Sequence, residues 1–290
     1  MEKTKYWIQA ARPQTLIASL IPIVPVSMLC INLNKFSPNI FICTLLCSIF
    51  IQIITNFIND LYDFKKGSDR PDRVGPERVI EKGYLNEREI ILGVYVLLFL
   101  SVFLGGYLVS IGGFVILMIG LSSFLFAYLY TATKISIAYN GLGEVFVFIY
   151  FGVLASWGTF FLQTLEYDFL ITLFGIIAGS LNSSMLIINN LRDYNEDLLS
   201  NKNTLIVKFG KNFGKIEFIS MNILSYLSLY YLLILLNQMH SFYLFYVLIV
   251  FCIIIIYRVV MCPEFIKKAL SYYSLYIAVF TIFLSIVALL

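Results

Sequence analysis

The chain has 290 residues, of which 60% are hydrophobic and 13% charged, with a mean hydropathy of +0.88 and a net charge of +3. Soluble domains carry about 25% charged residues, so the composition excludes a soluble globular protein and points to an integral membrane one. A single histidine, His240, and cysteines without CxxC spacing argue against a zinc centre.

Nine segments are long enough to cross a hydrocarbon core, which takes about 20 residues. In chain order they are 14–33, 39–62, 89–109, 112–131, 142–163, 168–190, 215–236, 241–260 and 268–289. Pro13, Pro22 and Pro25 punctuate the first and predict a kink there. Met1 to Arg12 is polar and leads straight into this span, so no cleavable signal peptide is expected. With nine spans, every one of the 20 Lys and Arg residues except Lys35 falls on the side of the amino terminus. By the positive-inside rule that side is cytoplasmic, and the carboxyl terminus lies opposite. The expected architecture is one all-α domain over residues 1–290 in the inner membrane. The far-side loops are minimal, whereas the cytoplasmic loops 63–88 and 191–214 are long and polar, so function is expected at the cytoplasmic end.

Span two ends in Asn56-Phe57-Ile58-Asn59-Asp60-Leu61-Tyr62-Asp63, continuing through Gly67-Ser68-Asp69-Arg70-Pro71-Asp72-Arg73. Asn56, Asp60 and Asp63 stand at i, i+4 and i+7, which places them on one helical face. Span six ends in an echo of this pattern, with Asn189, Asp193 and Asp197 again spaced for one face. Ionisable groups at the end of a membrane span are costly and mark functional sites. Mg²⁺ prefers hard oxygen ligands, keeps several waters, and is commonly held by a few carboxylates plus substrate phosphates. Asp60 and Asp63, with Asp69, are candidates for one ion, and Asp193 with Asp197 for a second. Asn56, Asn59 and Asn189 could orient or supplement them. Arg70, Arg73, Arg78, Lys134, Arg192 and Lys202 are the basic candidates for phosphate oxygens. Phe57, Tyr62, Phe64, Tyr128, Tyr130, Tyr139, Phe146, Tyr150 and Trp157 lie near these helices. Such rings stabilise a carbocation, although an interfacial aromatic belt would use the same residue types. A cation-coupled transporter would also use intramembrane carboxylates, but it would need polar groups on both sides of the midplane.

Asn59-Asp60-x-x-Asp63 with Gly67-x-Asp69, Asp193-x-x-x-Asp197 and Tyr130-x-x-x-Lys134 together resemble the UbiA superfamily of intramembrane aromatic prenyltransferases. Ala10-Ala11-Arg12-Pro13-Gln14, Gly141-Leu142-Gly143-Glu144 and Lys202-Asn203-Thr204-Leu205 resemble its naphthoate branch. Asn201 stands where that branch usually has Gly, a change that a left-handed turn tolerates. The resemblance implies a nine-helix bundle around a central cavity with cytoplasmic cap loops. It implies Mg²⁺, two ions in all, and a polyprenyl diphosphate ionising to an allylic cation that an aromatic quinone precursor attacks. The acceptor expected is 1,4-dihydroxy-2-naphthoate, with 4-hydroxybenzoate as the alternative. Lys134 is then a diphosphate ligand, and Tyr130 lines the reacting centre. Arg12 contacts substrate or anchors span one. Glu144 and Tyr139 face the acceptor or serve as a helix-dipole carboxylate and an interfacial tyrosine. Membrane lipid is the expected surrounding, with no nucleic acid and no obligate protein partner.

Overall fold

Apolar runs of this length can satisfy their backbone in a membrane only as helices or closed barrels, and the chain takes the first solution. A computed structural model describes residues 2–67, 75, 77–133 and 136–290, which among themselves form helices and connections without a strand. The principal helices are α1 (Glu2–Ala11), α2 (Val24–Asn32), α3 (Pro38–Lys65), α4 (Glu87–Leu129), α5 (Gly143–Thr164) and α6 (Leu170–Arg192). They continue with α7 (Tyr194–Leu199), α8 (Lys211–Leu235), α9 (Phe242–Met261) and α10 (Ile266–Leu289). Among the described residues seven helices are long and apolar enough to cross a membrane, or eight with one bent pair counted as a span.

The expectation of nine differs from this count at α4. Its 43 residues hold both the third and fourth expected spans, and straight they would reach about 65 Å. They are not straight. Gly113 has φ 59° and ψ −144°, outside helical space, a conformation that suits a residue without Cβ. Lys65 at the end of α3 pairs with Glu87 at the start of α4 (3.1 Å), and the adjacent Lys66 donates to Thr131 O just past its end (2.6 Å). Both ends of α4 therefore meet the same end of α3. Ile40, at the other end of α3, packs with Leu108 and Ile116 on either side of Gly113. The start of α4 is fixed by a capping box: Glu89 N–H donates to Asn86 Oδ1 and Asn86 N–H to Glu89 Oε2, both at 2.9 Å.

The bent pair is Lys3–Thr15 with Ile17–Asn32, at 52°. The break between the two segments falls at Leu16, just after the tight turn Pro13–Thr15, and Arg12, directly before Pro13, has φ 51°. The proline ring disfavours helical backbone at the residue before it. The kink predicted for the first span thus falls at its start and turns the Arg12 side chain towards α3.

α6 is the axis of the molecule: 78% of its most apolar window is buried, against 11% for α4. Its Gly175, Gly179, Ser180, Ser183 and Ser184 are small residues of the kind that let helices approach closely in lipid. Gly152 of α5 is opposed to Gly179 and Gly175. Around Gly152 the helix widens to a π-turn over Ile149–Leu154. Asn182 Nδ2 caps the Phe151 carbonyl there at 2.7 Å and reaches Ala18 O at 3.0 Å.

Candidate active site

The carboxylates sit where apolar helices end, so each needs a compensating partner. Asp60 and Asp63 project from the last two turns of α3 and are 2% and 5% exposed. Asp60 accepts from Arg12 and from Arg78 Nη1 (2.5 Å), and Arg78 Nη2 lies 3.5 Å from Asp63 Oδ2. Tyr139 OH donates to Asp63 Oδ1 at 2.9 Å, and Lys66 Nζ stands 4.0 Å from the centre of the Tyr139 ring. Asn59 accepts from the Thr131 hydroxyl. The Asn56 amide donates to Ala11 O (2.9 Å) and Thr15 Oγ1 (3.2 Å), so it fastens the first segment to α3 one turn before Asp60.

The second motif departs from one continuous helix. α6 ends at Arg192, Asp193 caps it with φ −88° and ψ 7°, and Asp197 falls in α7. The bonds Asp193 N–H to Asn189 O (2.9 Å) and Asp197 N–H to Asp193 O (2.8 Å) nevertheless preserve the spacing of four. Arg192 forks onto Asp193 at 2.6 and 2.9 Å, and Lys202 stands 3.5 Å from Asp197. Asn201 takes the left-handed turn at φ 55°, as its residue type allows. Burial pushes the Asp197 carboxyl up to about 6, with Lys202 pulling it down and Asp193 pushing it further up.

Two cavities meet at this end of the bundle. A polar chamber of about 280 Å³ is lined by Asp63, Arg78, Glu144, Arg192, Asp193 and Lys202 among others. An apolar cavity of about 510 Å³ runs between α3, α4, α5 and α6. Arg12, Thr15, Asn59, Tyr130, Leu186 and Asn189 line both, so polar and apolar spaces share one rim. Asp60 and Asp197 are not on the chamber wall but buried behind it. Glu144, in the first turn of α5, is 4% exposed and accepts from Asn190 Nδ2 at 2.7 Å.

Of the nine aromatic residues expected near the site, Tyr130, Phe146 and Tyr150 line the apolar cavity. Phe126 joins them, its ring centre 4.6 Å from Phe146 and 4.8 Å from Tyr150. Phe57 instead packs on Trp7, Trp157 donates to Thr172 Oγ1, and Phe64 and Tyr128 are exposed. Asp69, Arg70, Arg73 and Lys134 lie outside the described residues.

The oxygens present suit Mg²⁺. Among the described residues no three His, Cys, Asp or Glu groups form a ready cage. Mg²⁺ seldom uses one, because waters and phosphate oxygens complete its octahedron. Asp197 Oδ2 is buried without a hydrogen-bond partner, a donor that a cation would satisfy.

Residues 19–269 match the model of the UbiA prenyltransferase family, and the chain belongs to that family. It is 36% identical to a 1,4-dihydroxy-2-naphthoate octaprenyltransferase of Haemophilus influenzae, over 74% of this chain and 72% of that protein. It is 33% identical to the Escherichia coli protein of the same name, over 73% and 70% respectively. A UbiA homologue from Archaeoglobus fulgidus, solved bound to GPP and Mg²⁺, shares the fold with a TM-score of 0.69 at 17% identity. That match covers 98% of this chain and all (100%) of the other. The protein is thus an integral membrane prenyltransferase, and a transporter role is set aside.

Proposed function

We propose that this prenyltransferase moves a polyprenyl group from its diphosphate to 1,4-dihydroxy-2-naphthoate, with loss of the ring carboxylate. The observation that carries this reading is the shared rim: an amphiphile with an anionic head and a long apolar tail needs a polar chamber continuous with an apolar cavity. The naphthoate relatives, similar over more than two thirds of their length, support this choice of acceptor.

In this reading Asp60, Asp63, Asp193 and Asp197, with Asp69, hold Mg²⁺, which supplies charge stabilisation to the departing diphosphate. The chain's own basic groups do the remaining binding. Arg192 and Lys202 on the chamber wall, with Arg70, Arg73 and Lys134, complement the phosphate oxygens. Tyr130, Phe146, Tyr150 and Phe126 present π faces where the allylic cation would form. Their apolar cavity also excludes water, which would otherwise capture the cation. Glu144, fixed by Asn190, and Arg12 on the rim orient the acceptor so that a ring carbon bonds to the allylic carbon as CO₂ leaves. The positive charge of the loops supports a cytoplasmic side for this chamber.

Purified protein in detergent should convert a polyprenyl diphosphate and the naphthoate to prenylated product, and EDTA should stop it. Product with 4-hydroxybenzoate alone would replace the acceptor. No product with either, from folded protein, would overturn the reaction proposed.

The raised Asp197 carboxyl adds a pH dependence. Metal needs the deprotonated oxygen, and a proton competes as pH falls through about 6. Below that value Mn²⁺ affinity at the second pair should fall about ten-fold per pH unit. Titrations at pH 5 and pH 7 read this directly, and equal affinities would remove Asp197 from the ligand set.

A further inference from the structure

Arg78 occupies a position that its sequence does not announce. It lies 18 residues beyond Asp60, yet its guanidinium bridges the first acid pair, Nη1 on Asp60 Oδ1 and Nη2 towards Asp63 Oδ2. Its side chain is 11% exposed. The backbone beside it is held firmly: Gln9 Nε2 donates to Glu77 O at 3.0 Å, and Val79 and Ile80 are buried against Ala10, Phe57 and Leu61. The same side chain lines the polar chamber. With its backbone anchored, the long side chain lies between two acids and an anion-sized chamber, and its own torsions set the direction of the fork.

We infer that Arg78 is an exchangeable counter-ion of the first acid pair, which yields its carboxylates to Mg²⁺ and turns its fork onto the diphosphate. This rests on the metal–diphosphate reading above. The argument is competition for the same oxygens. A guanidinium fork fits two carboxylate oxygens and equally well two phosphate oxygens. Mg²⁺ on Asp60 and Asp63 competes with that pairing for Asp60 Oδ1 and Asp63 Oδ2, so the two cations oppose each other on the acids, while Arg12 stays beside Asp60 in either state. Diphosphate reverses the sign. It offers Arg78 a new anion and offers the metal further oxygens, so the anion should promote exchange. Linkage makes the effect reciprocal. A device of this kind would keep the acid pair neutralised until a complete metal–diphosphate headgroup arrives.

Opposite effects on two ligands separate this role from a merely structural one. In Arg78→Gln, Mn²⁺ alone should bind about ten-fold more tightly than in the parent protein, since close ion pairs couple by at least about 1.5 kcal/mol. Inorganic diphosphate with Mg²⁺ should bind about ten-fold more weakly. Isothermal titration of detergent-purified protein reads both, and neither measurement needs an acceptor or turnover. Arg78→Lys, which keeps the charge but cannot bridge both acids, should lie between the two and serves if the Gln variant does not fold. Weaker or unchanged Mn²⁺ binding in both variants would overturn the inference while leaving the metal site intact. No Mn²⁺ binding to any form, even with diphosphate, would overturn the metal reading and the inference with it.

Discussion

Asp60→Asn is expected to lower prenyl transfer by more than about 100-fold while the protein stays folded. Loss of a group that merely supports a metal ligand costs about 10–100-fold, and in the reading proposed above Asp60 is a ligand itself. The substitution keeps shape and removes charge, so the helix around it has no steric reason to move. Its stability cost is bounded by its neighbours. Arg12 and Arg78 both point at Asp60, but Arg78 retains Asp63 at 3.5 Å. A loss of about 1–3 kcal/mol is the ordinary result for a charged group that loses one hydrogen-bond partner. Turnover, circular dichroism and thermal unfolding in detergent should be measured on the same preparation. Lys35→Ala is the matched control. Its pair with Glu166 at 2.6 Å is exposed on both partners (40% and 62%) and lies away from both cavities. Such pairs contribute about 0–1 kcal/mol, and turnover should not change. Full activity in Asp60→Asn would remove the first acid pair from the chemistry.

Legibility in the sequence followed the range of the forces involved. The helices were readable because hydropathy is local, and the ends of α3 and α6 were readable because Asp60, Asp63, Asp193 and Asp197 interrupt apolar runs at helical spacing. Arg78 was legible only as one basic residue among several. Its place against Asp60 depends on how residues 77–80 pack against α1 and α3, fixed by Gln9 and by buried Val79. Nothing periodic encodes that return. Asn190 was missed for another reason: beside Asn189 it reads as part of the polar helix end, and only packing of α6 on α5 shows it turned to Glu144. The aromatic residues show the same limit. Composition placed nine near the site, but helix rotation decides which face the cavity, and it selected Phe126 while sending Trp157 and Phe57 into other contacts. Among the described residues the continuous apolar helices number fewer than the nine expected spans because Gly113, with positive φ, turns α4 back without any break in hydrogen-bonded helix around it, so that two expected spans share one helix.

Gly152→Ala should be the most damaging single-methyl change in the bundle. A Cβ at this position would stand 2.4 Å from Gly179 Cα and 2.6 Å from both Gly179 N and Gly175 O. All three are backbone atoms, so no side-chain rotation can relieve the contact and α5 must move away from α6. Overpacking costs about 1–3 kcal/mol where side chains can adjust, and a backbone that must shift places this variant at or above the upper end. Gly105→Ala provides the opposite case. It lies in α4 with nothing within 4 Å of its would-be Cβ, and helix propensity alone predicts a gain of roughly 0.5–1 kcal/mol. Thermal unfolding in detergent should therefore move in opposite directions for the two variants. Activity should follow the same contact, because α5 and α6 also carry Glu144 and Asn190, joined at 2.7 Å on the chamber wall. Moving the helices apart at Gly152 stretches that bond and opens the rim at Tyr130 and Leu186, where head and tail spaces meet. If Gly152→Ala unfolds within about 0.5 °C of the parent, a shift well under 1 kcal/mol for a chain of this size, the two helices do not approach this closely. The shared rim would then need a different support.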